Sequence, residues 1–311
     1  MKIVFFGTSS FAILPLLSLA KSDHKITAVI TQPDRRSGRG LVKSFSPVKL
    51  IANKYDLPLY QSPRVSNGDF VKTLEKFKAD IFVVVSFGQL LSKDVLSIPK
   101  TYSINIHPSL LPKYRGASPI NWAILNGETT TGLTIFKMNE NMDAGDIIIK
   151  EAMGIDENDN ALGLGEKLSK LGSELLIKAL ALIEKKEDEL TPQDDAEASC
   201  APKLKKTDGA INWNNNTKKI HNTVRGVVPW PTAYTKLEGK LIKIWKTKMI
   251  PTAYNDKADP GTILKLDNDG IIVATSDGAL AICEMQEEAG KKMSAAAYCR
   301  GHKISSGKKF S

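Results

Sequence analysis

Residues 79–116 read ADIFVVVSFGQLLSKDVLSIPKTYSINIHPSLLPKYRG. The apolar run at 79–86, with Val83-Val84-Val85 at its centre, reads as a central strand, and the run at 102–106 as another. Outward from them, residues 3–6 and 25–31 read as further strands. Helical patterns fall between and around them at 11–21, 47–55 and 118–126, and the longest of all spans 162–185. Strands that alternate with helices in this way predict βαβ units around a mostly parallel sheet, an α/β domain of Rossmann-like type. Residues 131–138 and 146–151 read as later strands of antiparallel sense.

Past residue 184 the pattern changes. Residues 184–195 are charged and 196–206 show no period, as expected of a linker. The chain is therefore expected to divide into a first domain at 1–190, a linker at 191–206 and a second domain at 207–311. The second domain carries a helical stretch at 217–227 and five short strand patterns at 233–237, 241–247, 262–266, 270–275 and 279–284. Turn pairs such as Glu238-Gly239, Asp269-Gly270 and Asp277-Gly278 separate most of these strands. So many short strands in so few residues predict a small β-barrel of OB-fold type.

The 311 residues suffice for two cores, and 42% hydrophobic with 25% charged residues is a globular composition. No apolar run approaches the ~20 residues of a membrane-spanning helix. The opening MKIVFFG has too short an apolar run for a signal peptide and reads as a buried strand. Cys200, Cys283 and Cys299 share no metal-ligand spacing and cannot all pair, which points to a reducing, cytoplasmic setting. Residues 207–311 hold 16 Lys+Arg against 10 Asp+Glu, so +6 of the net +9 lies there. That bias suggests a polyanionic partner.

The chemistry concentrates in Asn105-Ile106-His107-Pro108-Ser109-Leu110-Leu111-Pro112-Lys113-Tyr114-Arg115-Gly116. Asn105 and His107 sit two apart at a strand's end and so point to one side, where open α/β sheets bind ligands. One offers an amide donor, the other an imidazole able to donate or shuttle a proton. The Pro-rich continuation makes a rigid wall beside them.

This string closely resembles the signature of the folate-dependent formyltransferases, Asn-x-His-x-Ser-Leu-Leu-Pro followed by Arg-Gly. The family's third residue is an Asp in a later loop, and Met142-Asp143-Ala144-Gly145-Asp146 matches that place, with Asp143 the position carried over and Asp146 the alternative. The resemblance implies a catalytic trio of Asn105, His107 and Asp143. Asn105 and His107 would donate to the formyl oxygen as charge develops on it, one such donor being worth ~10²–10³ in rate. Asp143 would orient the imidazole and favour its charged form, and would accept the attacking amine's proton directly or through water. No metal and no covalent enzyme intermediate is needed. The implied cosubstrate is 10-formyltetrahydrofolate, with Ser109, Leu110, Leu111 and Pro112 lining its site and Phe87, Gly88, Gln89 and Leu90 closing over the pterin.

Residues 31–40, TQPDRRSGRG, resemble the basic loop of the methionyl-tRNA branch of that family. Arg35, Arg36, Arg39 and Lys43 would there meet the phosphates of an initiator methionyl-tRNA. Further landmarks of that branch recur at Ala201-Pro202-Lys203-Leu204, Ile211-Asn212-Trp213, Arg225-Gly226, Pro229-Trp230-Pro231, Pro260-Gly261-Thr262-Ile263-Leu264 and Gly290-Lys291-Lys292-Met293-Ser294. Neither a membrane nor a stable protein partner is implied. The rival readings are formyl transfer to an amino sugar nucleotide and a catalytically silent RNA-binding OB-fold. A nicotinamide oxidoreductase is disfavoured because the Gly-x-Gly-x-x-Gly spacing is absent after Gly7.

Overall fold

The computed structural model describes residues 1–37, 42–250, 258–267, 270–302 and 304–311. In chain order its elements begin β1 (Lys2–Gly7), α1 (Ile13–Ala20), β2 (Lys25–Thr31), β3 (Arg35–Ser37), β4 (Val42–Ser44) and α2 (Pro47–Lys54). Next come β5 (Leu59–Gln61), α3 (Gly68–Lys76), β6 (Ile81–Val85), α4 (Lys93–Leu96), β7 (Ser103–His107), α5 (Pro119–Leu125), β8 (Thr130–Lys137), β9 (Ile147–Gly154) and α6 (Ala161–Lys185). The last third holds α7 (Thr217–Gly226), β10 (Ala233–Leu237), β11 (Lys240–Met249), β12 (Ile263–Asp267), β13 (Gly270–Ala274), β14 (Ala279–Glu287), β15 (Met293–Ser294) and α8 (Ala295–His302). Among the described residues no helix is long and apolar enough to cross a membrane.

Two compact units form. The first comprises Met1–Pro119, Thr130–Gly154 and Gly165–Ala201. Its seven-stranded sheet runs β5-β2-β1-β6-β7-β8-β9, parallel from β5 to β7 and antiparallel thereafter. Strands β1, β2 and β6 are apolar almost throughout because both faces of a parallel sheet are covered. The strand order reverses between β1 and β6, which opens a crevice at their carboxyl ends. The loops there are laced together: Thr8 Oγ1 donates to the Phe87 carbonyl (2.9 Å) and Ser9 Oγ to Ser86 Oγ (2.8 Å).

The second unit comprises Ile120–Thr129, Ile155–Leu164 and Pro202–Ser311, a division that differs from the expected domains at 1–190 and 207–311. Long-range polar contacts cause the difference. The buried Arg225 guanidinium donates to the carbonyls of Asp156 (3.1 Å) and Asp159 (2.8 Å), which draws residues 155–164 onto α7. Asn121 Nδ2 donates to the Gly226 carbonyl, and Trp122 Nε1 to that of Pro202. The expected linker is likewise divided, with 191–201 packed in the first unit.

The antiparallel sheet of the second unit runs β10-β11-β14-β13-β12, with β15 added on β14. Its two edges are joined by the chain's last residues. Lys236 and Ser311 exchange backbone hydrogen bonds on the β10 side, while Phe310 N donates to the Gly261 carbonyl and Ile263 N to that of Lys308 on the other. Phe310, 1% exposed, stacks on Trp213 at 5.6 Å between ring centroids. Phe310→Ala should remove this plug and cost roughly 3–5 kcal/mol of the second unit's stability. A thermal or urea unfolding curve matching that of the unchanged protein would contradict that role.

Candidate active site

Strand β7 lies between β6 and β8, with Asn105 opposite Val84 on one side and Phe136 on the other. His107 stands opposite Thr134. The two-residue spacing puts Asn105 and His107 on one face of the strand. The chain then turns at once, and Thr134 braces the turn: its hydroxyl donates to the Ser109 carbonyl (2.7 Å) and accepts from Leu111 N (3.1 Å). Ser109 Oγ closes the loop on the Lys113 carbonyl (2.7 Å).

His107 is 5% exposed, and both ring nitrogens are engaged. Nε2 lies 2.9 Å from the Tyr114 carbonyl oxygen, which can only accept, so Nε2 carries a hydrogen. Nδ1 faces Asp143 Oδ2 at 3.6 Å. That same carboxylate oxygen accepts the Gly116 N–H at 2.8 Å. The Asn105 side-chain amide, in contrast, has no protein partner among the described residues and is only half-buried. Asn105 is thus the open donor, and His107 is the oriented group behind it.

Asp143 adopts a left-handed backbone, φ 52°, on a turn that continues to Gly145. A side chain at Gly145 has no room, since a Cβ there would sit 1.7 Å from the Lys137 carbonyl oxygen. Asp146 sends its backbone carbonyl to Lys137 N and makes no side-chain contact with His107 among the described residues. Gln193 holds the outer side of the turn, its Nε2 donating to the carbonyls of Asp143 (2.9 Å) and Gly145 (2.7 Å).

Residues 1–180 match the family model described as formyl transferase, and residues 203–303 match the formyl transferase C-terminal domain. A relative from Syntrophus aciditrophicus called methionyl-tRNA formyltransferase is 42% identical, over 98% of this chain and 97% of its own. The chain belongs to the formyl transferase family. Solved structures of the same fold include HypX from Aquifex aeolicus in complex with tetrahydrofolic acid (TM-score 0.68, 22% identity, 96% of this chain). This formyl transferase spans only 47% of that longer protein. Another is an N-formyltransferase from Helicobacter canadensis with folinic acid and dTDP-3-aminofucose (TM-score 0.69, 20% identity, 93% of this chain and all of that one).

The other expected residues fall unevenly in this formyl transferase. Leu111 is fully buried with Phe136 and Ile147, and Ser109 and Pro112 are buried too, so of these four only Leu110 keeps a partly open side chain. The backbone of residues 109–112, the segment expected to line the folate site, is held by its hydrogen bonds to Thr134. Phe87 is likewise a core residue, packed edge-on to Phe6. Gln89 is committed to Val65 N and the Ser62 carbonyl. Gly88, with φ +84° and open space beside it, and Leu90, 69% exposed, are the accessible members of that loop.

Arg35 and Arg36 lie on β3 and Lys43 on β4, with Arg36 opposite Lys43 in the ladder. Arg39 lies outside the described residues. The ladder's base is fixed by Asp34, which pairs with Lys49 Nζ (2.7 Å) and accepts from Gln61 Nε2 (2.9 Å).

Sequence reasoning missed Thr134 and Gln193, whose contacts span 25 and about 50 residues of chain. No local pattern signals either one. Gly145→Ala should lower turnover strongly, because the Asp143 turn must move. Gly154→Ala, with nothing near its Cβ, should leave turnover intact. Equal activities of the two variants would show that the turn's geometry is unimportant.

Proposed function

We propose that the protein transfers the formyl group of 10-formyltetrahydrofolate to the α-amino group of initiator methionyl-tRNA. The observation that carries this reading is the unpartnered Asn105 amide beside the His107–Asp143 pair at the carboxyl end of β7. The amine nitrogen attacks the formyl carbon, the bond from that carbon to folate N10 breaks, and the proton lost by the amine ends on N10. Asn105 donates to the formyl oxygen as negative charge builds there. His107 adds a second donor once that oxygen replaces the Tyr114 carbonyl at Nε2, and Asp143 holds the imidazole from the Nδ1 side. The Asp143 carboxylate also serves as the relay for the amine proton, directly or through water.

The accessible residues fit a flat cosubstrate. Gly88 borders open space and Leu90 and Leu110 offer apolar surface, on loops that leave the neighbouring strands β6 and β7. When bound, the folate supplies an activated one-carbon unit at formyl oxidation level. Arg35, Arg36, Arg39 and Lys43 are assigned to the phosphates of the tRNA acceptor end, and the basic last third adds to the attraction. The near full-length likeness to methionyl-tRNA formyltransferases supports tRNA as acceptor, and with it a cytoplasmic place of action. The likeness to the Helicobacter canadensis enzyme rests on fold alone.

The test offers both acceptors to one preparation with 10-formyltetrahydrofolate. Methionyl-tRNA should be formylated with a kcat/KM at least a hundredfold above that for an amino sugar nucleotide, and should lose rate steeply as salt rises. Preference for the sugar nucleotide would overturn the assignment.

A further inference from the structure

The resemblance singled out Arg115-Gly116 without giving the pair a task, and residues 191–201 fall in the stretch at 191–206 that reads as a linker. The structure joins them. Arg115 N donates to the Ser199 carbonyl (2.8 Å) and Ala201 N to the Arg115 carbonyl (2.6 Å), so the later segment lies along the motif loop as a strap. Gly116 makes the close approach possible: its φ is +124°, and a Cβ would sit 2.7 Å from the Ala201 carbonyl oxygen. The Gly116 N–H is in turn the donor to Asp143.

Gln193 stands where strap, motif loop and Asp143 turn meet. Its Oε1 accepts from Arg115 Nε (3.0 Å) and Nη2 (2.8 Å), while its Nε2 donates to the carbonyls of Asp143 and Gly145. The amide's orientation is chemically determined. A guanidinium only donates, so it selects the oxygen, and the two carbonyls only accept, so they select the nitrogen. No other side chain of this length both accepts a fork and donates two hydrogen bonds. The Arg115 contact to Asp195 (2.8 Å) is of a lesser kind, since that carboxylate is 84% exposed and its pairing is screened by water.

We infer that Gln193 is a positioning residue for formyl transfer: with Arg115 setting its amide, it clamps the Asp143 turn so that the carboxylate stays against His107. The inference rests on the reading of Asp143 as part of the reacting site. It assigns the Arg-Gly of the motif to holding another loop in register, not to touching substrate. A catalytic carboxylate on a left-handed, solvent-side turn needs such a clamp, because a displacement of ~1 Å can cost up to a hundredfold in rate.

Gln193→Glu separates positioning from simple tethering. The new carboxylate keeps and strengthens the Arg115 pair, but cannot donate to the two carbonyls and repels them. Kinetics for Gln193→Glu, Gln193→Met, Asp143→Asn and the double variant Gln193→Glu/Asp143→Asn would be measured with both substrates, alongside thermal midpoints. The expected result is a Gln193→Glu protein that melts close to the unchanged one, with kcat lowered about tenfold or more and both KM values within roughly twofold. Gln193→Met should lose kcat similarly. The double variant should be no slower than Asp143→Asn alone, because Gln193 acts through Asp143. Near-normal kcat in Gln193→Glu, or additive losses in the double variant, would overturn the positioning role while leaving the catalytic reading in place. Full activity of Asp143→Asn would instead take down the reading beneath it, and the inference with it.

Discussion

A single carboxylate oxygen ties two loops of the first unit together. Asp143 Oδ2 accepts the Gly116 N–H at 2.8 Å and faces His107 Nδ1 at 3.6 Å, so one atom fixes the end of the motif loop and the side of the imidazole. The rest of the site follows from holding that atom still. The Asp143 turn can adopt its left-handed backbone only because Gly145 lets the chain press against Lys137. The motif loop can reach it only because Gly116 lets the strap approach. Thr134, on the neighbouring β8, braces the start of the same loop from beneath. Hydrogen bonds among charged and backbone groups are strong where water is partly excluded, and here His107 and Thr134 are buried and Asp143 and Gly116 half-buried.

The sheet supplies the remaining constraint. Because β7 is pinned on both sides, Asn105 and His107 share a face by register rather than by side-chain contacts. A one-residue slip would turn both away. Two consequences follow: the Asn105 amide keeps no protein partner among the described residues, and the imidazole beside it is approached from both of its ring nitrogens. The Tyr114 carbonyl at Nε2 is the His107 partner that the substrate oxygen replaces in the proposed reaction; like Asp143, it lies on a loop and not in the sheet.

Much of this was legible in the sequence, for reasons that can be stated. The buried parallel strands announce themselves as unbroken apolar runs, and Asn105 and His107 are read together because they lie in one strand. Asp143 was reached only through the resemblance, as its turn has no pattern of its own. The three-residue strands β3, β4 and β5 are too short to carry a period. Helix α3 does carry an apolar stripe at helical spacing, Phe70, Val71 and Leu74, which packs on the first unit's core, so it was within reach of a periodicity reading. The closing segment at 307–311 is rich in lysine and pairs with strands 40 to 75 residues away, a contact no local reading can find. The same distance hid Gln193. The compact units divide differently from 1–190 and 207–311 for a related reason: residues 155–164 are recruited by a buried arginine far along the chain.

The central claim is that an amide at Asn105 stabilises charge on the formyl oxygen while His107 and Asp143 are held behind it. Its most direct test is a single-turnover measurement with enzyme in excess, 10-formyltetrahydrofolate bound and methionyl-tRNA added by rapid mixing, comparing the unchanged protein with Asn105→Ala. Rapid mixing reads the chemical step without product release. The account predicts a rate constant lowered roughly 10²–10³-fold, with the affinities for folate and tRNA little changed. A single-turnover rate constant equal to that of the unchanged protein would contradict it.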